Sequence, residues 1–149
     1  MGKRVVIIGG VATGMKTASR LRRRDKDAEI IVLERGPQLS YGACGFPYFI
    51  GGDVKNFAEF DHTPQGVARD AEYFKNYKGI DARTGCNVTS INRAAKTVTY
   101  IELATGSEQV LPYDELVLGT GSPPVTLPLP NADEAGIHSF WFPWDVEAV

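Results

Sequence analysis

Arg4-Val5-Val6-Ile7-Ile8-Gly9-Gly10-Val11-Ala12-Thr13-Gly14 is the stretch that decides the fold of this chain. Residues 4–8 are few, β-branched and bounded by glycine, as a strand buried in a parallel sheet would be. Gly9 allows a tight turn, and Gly14 allows the next helix to lie close to the strand. That helix is expected over residues 12–25, with Met15, Ala18 and Leu21 on the side that packs on a sheet. A second apolar run, Glu29-Ile30-Ile31-Val32-Leu33, ends at Glu34. The spacing predicts a strand over 29–34 and completes a βαβ unit.

A glycine turn between a strand and a helix presents backbone N–H groups and the positive end of the helix dipole to a pyrophosphate. Gly9, Val11, Ala12 and Gly14 are therefore candidate cofactor-binding residues, with Val11 standing where the motif's middle glycine would be. Glu34 follows Gly9 by 25 residues and is followed by Arg35. A carboxylate at this place can accept hydrogen bonds from ribose hydroxyls and disfavours a 2′-phosphate. The alternative is a glycine-rich turn in an α/β sheet that binds nothing.

Further on comes Ser40-Tyr41-Gly42-Ala43-Cys44-Gly45-Phe46-Pro47-Tyr48, with a short helix expected near Cys44. One cysteine in a glycine-rich segment after a nucleotide site suggests a flavin beside a thiol. Thr63-Pro64 is read as a helix start, running to Lys78 and stopping at Gly79. The pattern then changes. Residues 88–91, 97–101 and 109–111 are expected as short strands of an antiparallel meander, with turns at 94–96 and 104–107. Tyr113-Asp114-Glu115-Leu116-Val117-Leu118-Gly119 is expected to return to the parallel sheet, and Pro123, Pro124, Pro128 and Pro130 mark a rigid exit. The last residues, from Trp144, look like the start of a helix. The expected class is α/β: a Rossmann-like, three-layer, dinucleotide-binding domain with a parallel sheet and a small antiparallel meander.

The 149 residues carry 16 Lys and Arg against 18 Asp and Glu, and this net charge of −2 gives no global attraction to nucleic acid or membrane. The cysteines, Cys44 and Cys86, are too few and too far apart for a disulfide scaffold or a metal cluster, so no metal site is expected and cytoplasmic residence is the default. No apolar run approaches the ~18 residues of a membrane span.

In this order the motifs resemble the FAD-dependent pyridine nucleotide-disulfide oxidoreductases, in their single-cysteine branch. The resemblance rests on Gly9 to Gly14, Glu34, the segment from Ser40 to Gly52, and Tyr113 to Pro124, where Gly119-Thr120-Gly121 stands for a second FAD motif usually written Ala-Thr-Gly. It implies FAD along the sheet, Glu34 on the adenosine ribose, backbone near Val88 at the adenine, Thr120 and Gly121 lining the cofactor, and the flavin ring over Cys44. It also implies NADH as reductant, a homodimer for the intact enzyme, and further NADH and dimerisation domains. Residues 1–149 would then be the N-terminal part of the FAD-binding domain, and would hold FAD poorly without the returning segment.

In two-cysteine relatives of this resemblance a second cysteine lies five residues on, where this chain has Phe49. Cys44 would cycle alone, through a sulfenic acid, mixed disulfide or persulfide, its thiolate favoured by a helix N-terminus. Cys86 is expected to be structural. The branch's oxidases and peroxidases place a histidine in the glycine turn; the matching residue here is Ala12. Phe46-Pro47-Tyr48 is more similar to coenzyme A-disulfide and persulfide reductases. There, positions matching Arg20, Arg23 and Ser40 contact coenzyme A, whereas Ala43 departs from an asparagine. Lys16, Arg20 and Arg23 share a helix face, and cations near the helix end can also simply face solvent and offset the dipole. The expected function is the reduction of coenzyme A disulfide, persulfide or polysulfide. The alternatives are an NADH oxidase or peroxidase using a sulfenic acid, or a non-catalytic nucleotide-binding or electron-transfer module.

Overall fold

The computed structural model describes residues 2–125, 128–131, 134 and 137–149. The chain opens with β1 (Arg4–Ile8), α1 (Ala12–Arg24) and β2 (Glu29–Leu33). β1 and β2 pair in parallel, Arg4 with Glu29 through Ile8 with Leu33. A 3-10 turn at Ala43–Gly45 leads into α2 (Phe46–Ile50). After a second 3-10 turn at Phe57–Phe60 come α3 (Ala71–Lys78) and β3 (Asp81–Arg83). The meander is β4 (Cys86–Asn92), β5 (Thr97–Glu102) and β6 (Ser107–Pro112). β7 (Glu115–Leu118) then returns to β1, giving a sheet ordered β3-β2-β1-β7, and α4 (Pro143–Glu147) closes the chain.

Strand alternation produces the three layers. Val5, Ile7, Ile30 and Val32 face one way and pack with Met15 and Ala18 of α1, Phe74 of α3 and Ile80. Val6, Ile8, Ile31 and Leu33 face the other way and pack with Cys86, Val98 and Tyr100 of the meander. A strand covered on both faces must be apolar at every position, which is why β1 and β2 are nearly unbroken runs. The third cluster is aromatic: Phe46 and Phe60, with Phe49, Phe57, Tyr41 and Val146, beneath the segment that carries Cys44.

The helix expected from Thr63 to Lys78 is corrected. Residues 63–66 form a turn, with the Gly66 N–H on the Thr63 carbonyl at 2.8 Å, and His62 bridges Ala68 in antiparallel fashion. Gly66 adopts φ +78, which a right-handed helix cannot contain. The helix begins eight residues after Thr63, where the Asp70 carboxylate accepts the Tyr73 N–H at 2.8 Å. Its end is as expected, at Gly79 in the left-handed conformation with φ +61. α1 stops at Arg24 and β2 at Leu33, each one residue short of the expected bounds.

Candidate nucleotide and thiol site

Three backbones meet at the carboxyl end of the sheet. Ile8 is in register with Leu33 of β2 and with Leu118 of β7, so Gly9, Glu34 and Gly119 leave the sheet side by side. Gly9 has φ +101, and a Cβ there would lie 2.2 Å from the Gly119 carbonyl oxygen. A Cβ on Gly14 would lie 1.7 Å from the Gly9 carbonyl oxygen. Both positions therefore exclude a side chain. At Gly119 a Cβ would sit 3.3 Å from Gly14 N and Ile8 O, so the alanine of the resembled motif needs an adjustment of only a few tenths of an ångström. Val11 has φ −101, so it does not need the left-handed region that glycine favours.

No side chain caps the N-terminus of α1, and no acidic residue occupies its first turn. The leading N–H groups of α1 thus have no side-chain partner and can meet a pyrophosphate. Ala12 and Thr13 are exposed there and Val11 is half-buried. The Glu34 carboxylate accepts the Gly10 N–H at 2.5 Å and the Gly36 N–H at 2.7 Å. It is thus already fixed in place, with lone pairs left for ribose hydroxyls. Arg35 is exposed beside it, and the Cys86 N–H on the Glu34 carbonyl at 2.8 Å ties the start of β4, and Val88 two residues on, to this end of the sheet. Thr120 and Gly121 follow β7 and are exposed.

The cysteine segment is fastened to the same turn. Ser40, in the left-handed region with φ +52, donates its N–H to the Gly10 carbonyl at 2.9 Å. Tyr41 stacks on Phe46 at 5.9 Å, and the Gly42 N–H reaches the Phe60 carbonyl at 2.9 Å. Gly45 allows the turn to press on Phe60, whose Cε1 would lie 2.3 Å from a Cβ there. Cys44 is exposed on this rigid base. It sits in the 3-10 turn and α2 starts two residues later at Phe46, so the helix N-terminus expected at Cys44 lies just beyond it. Phe49 packs edge-on against Phe57 at 5.3 Å. Cys86 is 5% exposed, its thiol donates to the Thr84 carbonyl at 3.5 Å, and burial pushes that thiol's pKa up. Burial, then the Glu34 and Asp145 carboxylates, push the Tyr41 phenol up as well.

The basic residues of α1 divide. Arg22 donates to the carbonyls of Lys26 at 2.6 Å, Ala28 at 2.7 Å and Gly79 at 2.8 Å, and so clamps α1 to β2 and the end of α3. Arg20 and Arg23 are exposed, about 9 and 13 Å along the helix axis from Gly14. The structure therefore joins Ser40 to the glycine turn and leaves the two arginines outside that cluster. His62 Nδ1 lies 2.6 Å from Asp61 Oδ1, and His138 is exposed on the exit segment. Among the described residues no group of three or more His, Cys, Asp or Glu could hold a metal ion, and no helix is long and apolar enough to cross a membrane.

Three features were not read from the sequence. Gly10 is needed because a Cβ would lie 2.7 Å from Glu34 Cβ and Leu39 Cδ2. Phe60 supports the cysteine turn, and the dense aromatics of residues 46–60 were its signal. Phe142 and Trp144 border a small cavity with Glu34, Arg35 and Tyr41.

The sequence pattern of the pyridine nucleotide-disulphide oxidoreductase family matches residues 3–145. An NADH oxidase of Methanocaldococcus jannaschii is 33% identical over 135 residues, 90% of this chain and 28% of that protein. A coenzyme A disulfide reductase of Staphylococcus haemolyticus is 35% identical over 121 residues, 80% of this chain and 26% of that protein. The solved structure of an NAD-dependent persulfide reductase from A. fulgidus superimposes with a TM-score of 0.93 at 41% identity, covering 97% of this chain and 26% of that one. The chain thus spans about a quarter of the length of these relatives.

Proposed function

This chain belongs to the pyridine nucleotide-disulphide oxidoreductase family, and we propose that it is the FAD-binding front portion of an NADH-dependent flavoprotein that reduces a small disulfide, persulfide or polysulfide through Cys44. The observation that carries this reading is the 2.9 Å bond from Ser40 N–H to Gly10 O, which fastens the turn bearing an exposed cysteine to the glycine cradle. The cradle fits FAD by its own geometry: a backbone approach that excludes Cβ atoms, unblocked helix N–H groups and a fixed carboxylate. Gly9, Val11, Ala12 and Gly14 would hold the pyrophosphate, Glu34 and Arg35 the ribose, Val88 the adenine by its backbone, and Thr120 and Gly121 the cofactor's flank. Bound there, FAD would take a hydride from NADH and relay the electron pair to sulfur.

Cys44 does the remaining chemistry. Its thiolate attacks one sulfur of RS–SR′, forming Cys44–S–S–R and expelling R′S⁻, which takes up a proton. The relayed electron pair then cleaves the mixed disulfide, returning the Cys44 thiolate and releasing RS⁻. With a persulfide RS–SH, attack on the outer sulfur expels RS⁻, and reduction of Cys44–S–SH releases HS⁻. Cys86 takes no part, because it is buried between the meander and the parallel sheet. Phe49, packed among aromatics where a second cysteine would stand, leaves Cys44 without an internal partner. Arg20, Arg23 and Ser40 would contact a coenzyme A portion of the substrate, and the exposure of both arginines leaves them accessible to phosphates.

An oxidase or peroxidase is the second reading, favoured by the similarity to the NADH oxidase of M. jannaschii. Against it, Ala12 occupies the glycine turn and His62 is engaged with Asp61. Anaerobic NADH titration of the full-length protein, with and without coenzyme A disulfide, tests the choice. Rapid reoxidation by the disulfide, lost in Cys44→Ser, is expected. Reoxidation only by oxygen or peroxide would select the second reading, and unchanged turnover in Cys44→Ser would overturn both.

A further inference from the structure

We infer that Trp144, backed by Phe142, is a stacking platform for the adenine of the bound dinucleotide, an inference that rests on the FAD-binding reading above. The two rings are stacked at 4.5 Å between centroids with an interplanar angle of 17°. Trp144 stays 47% exposed with Phe142 stacked against it. These rings border the same small cavity as Glu34, Arg35 and Tyr41. A carboxylate suited to ribose hydroxyls and a half-exposed indole therefore border one cavity, the pairing that a ribose and its base require.

The platform is held rather than loose. Asp145 Oδ2 accepts the N–H groups of Trp141 at 2.9 Å and Phe142 at 2.8 Å, fixing the backbone that leads into Phe142. Val146, 3% exposed, is sunk into the cluster of Phe46 and Phe60, and Pro143 is buried. An exposed indole on a pinned segment loses little conformational freedom when a base stacks on it. A base offers its π-face to an aromatic ring whatever its edge pattern, so Trp144 would supply affinity for the base while Glu34 selects a ribose without a 2′-phosphate. The same rigid α4 contacts the aromatic base of the Cys44 turn. The chain after β7 thus serves both ends of the site: it closes the adenosine end with Trp144 and supports the thiol end with Val146.

Calorimetric titration of the FAD-stripped full-length protein with ADP and with FAD tests this. Trp144→Leu keeps apolar bulk without a π-face, and Trp144→Phe keeps a smaller ring. About tenfold weaker ADP and FAD binding in Trp144→Leu, with most affinity kept in Trp144→Phe, is expected, since loss of one stacked base costs on this order. Unchanged affinity in Trp144→Leu, or equal loss in both variants, would overturn the platform while leaving the FAD-binding reading intact. Failure of the wild-type protein to bind either ligand would overturn both. If Trp144→Leu fails to fold, tryptophan emission decides: ADP should quench a Trp141→Phe variant and not a Trp144→Phe variant, and equal quenching in the two would overturn the inference.

Discussion

The Glu34 carboxylate and the Gly10 backbone N–H are joined at 2.5 Å, so the residue at the end of β2 holds the turn that follows β1. The other carboxylate oxygen holds the Gly36 N–H at 2.7 Å. Glu34 is thus a positioning residue for the glycine turn as well as the proposed ribose ligand. Glu34→Ala removes both bonds to a charged acceptor, each worth about 1.5–3 kcal/mol, while Glu34→Gln can keep one acceptor oxygen. Thermal melts should rank wild type above Glu34→Gln above Glu34→Ala, and FAD affinity should fall in the same order. Equal melting of all three would show that the turn holds itself.

Gly14 tests the close approach of helix and strand. In an exposed helix interior, glycine to alanine gains roughly 1 kcal/mol. Here the new Cβ would fall 1.7 Å from the Gly9 carbonyl oxygen, and overpacking of this kind costs about 1–3 kcal/mol. Gly14→Ala should lower the urea midpoint and weaken FAD binding at least tenfold. A raised midpoint would mean that helix propensity outweighs the clash.

The two cysteines should differ in reactivity. Cys44 is exposed and Cys86 is 5% exposed where the meander packs on the parallel sheet. A thiol-specific reagent should label Cys44 in the native chain, with Cys86 becoming reactive only in denaturant. Mass spectrometry of digests distinguishes them, and native labelling of Cys86 at a comparable rate would contradict the packing described here.

Arg22 and its neighbours should separate by function. Arg22 bonds three carbonyls at 2.6–2.8 Å, two in the connection from α1 to β2 and one at the end of α3. Arg22→Ala should destabilise by about 2–3 kcal/mol through the loss of charged hydrogen bonds, and Arg22→Lys should not rescue it because an ammonium lacks the planar fork. Arg20→Ala and Arg23→Ala should leave the melt within about 0.5 kcal/mol, as exposed substitutions do, while raising the KM for a coenzyme A disulfide.

Stability should fall on the alkaline side. Burial raises the pKa of Cys86, and burial with the Glu34 and Asp145 carboxylates raises that of Tyr41. In each case the folded state binds the proton more tightly than the unfolded state does. The stabilisation is therefore complete below the unfolded pKa, about 8.5 for a thiol and 10 for a phenol, and is lost as pH rises through the folded value. Melting temperature should decline from about pH 8.5 upward, and Cys86→Ala should remove the first part of that decline. An unchanged pH profile in Cys86→Ala would assign the fall elsewhere.

The sequence by itself determined three of the four strands of the parallel sheet, the meander, and the glycine turn with Glu34 at the end of β2, whereas the three-residue β3 (Asp81–Arg83) carried no signal of its own. β1 and β2 are continuous apolar runs because both faces of the sheet are covered, and β4 to β6 alternate and are separated by polar turns. Gly9, Gly14 and Glu34 stand at spacings set by local backbone geometry, which a linear pattern carries directly. The start of α3 was misplaced because Thr63-Pro64 resembles a cap, whereas Gly66 at φ +78 breaks the helix and Asp70 supplies the cap. Local signals compete, and tertiary contacts choose between them. What only the tertiary structure decided were relationships between distant segments: Glu34 holding Gly10, Phe60 under Gly45, Arg22 clasping Gly79, and Trp144 beside Glu34. None has a periodic or short-range signature. The parallel register brings the carboxyl ends of β1, β2 and β7 together, and burial of aromatics from residues 41–60 and 140–146 brings two distant segments onto one base.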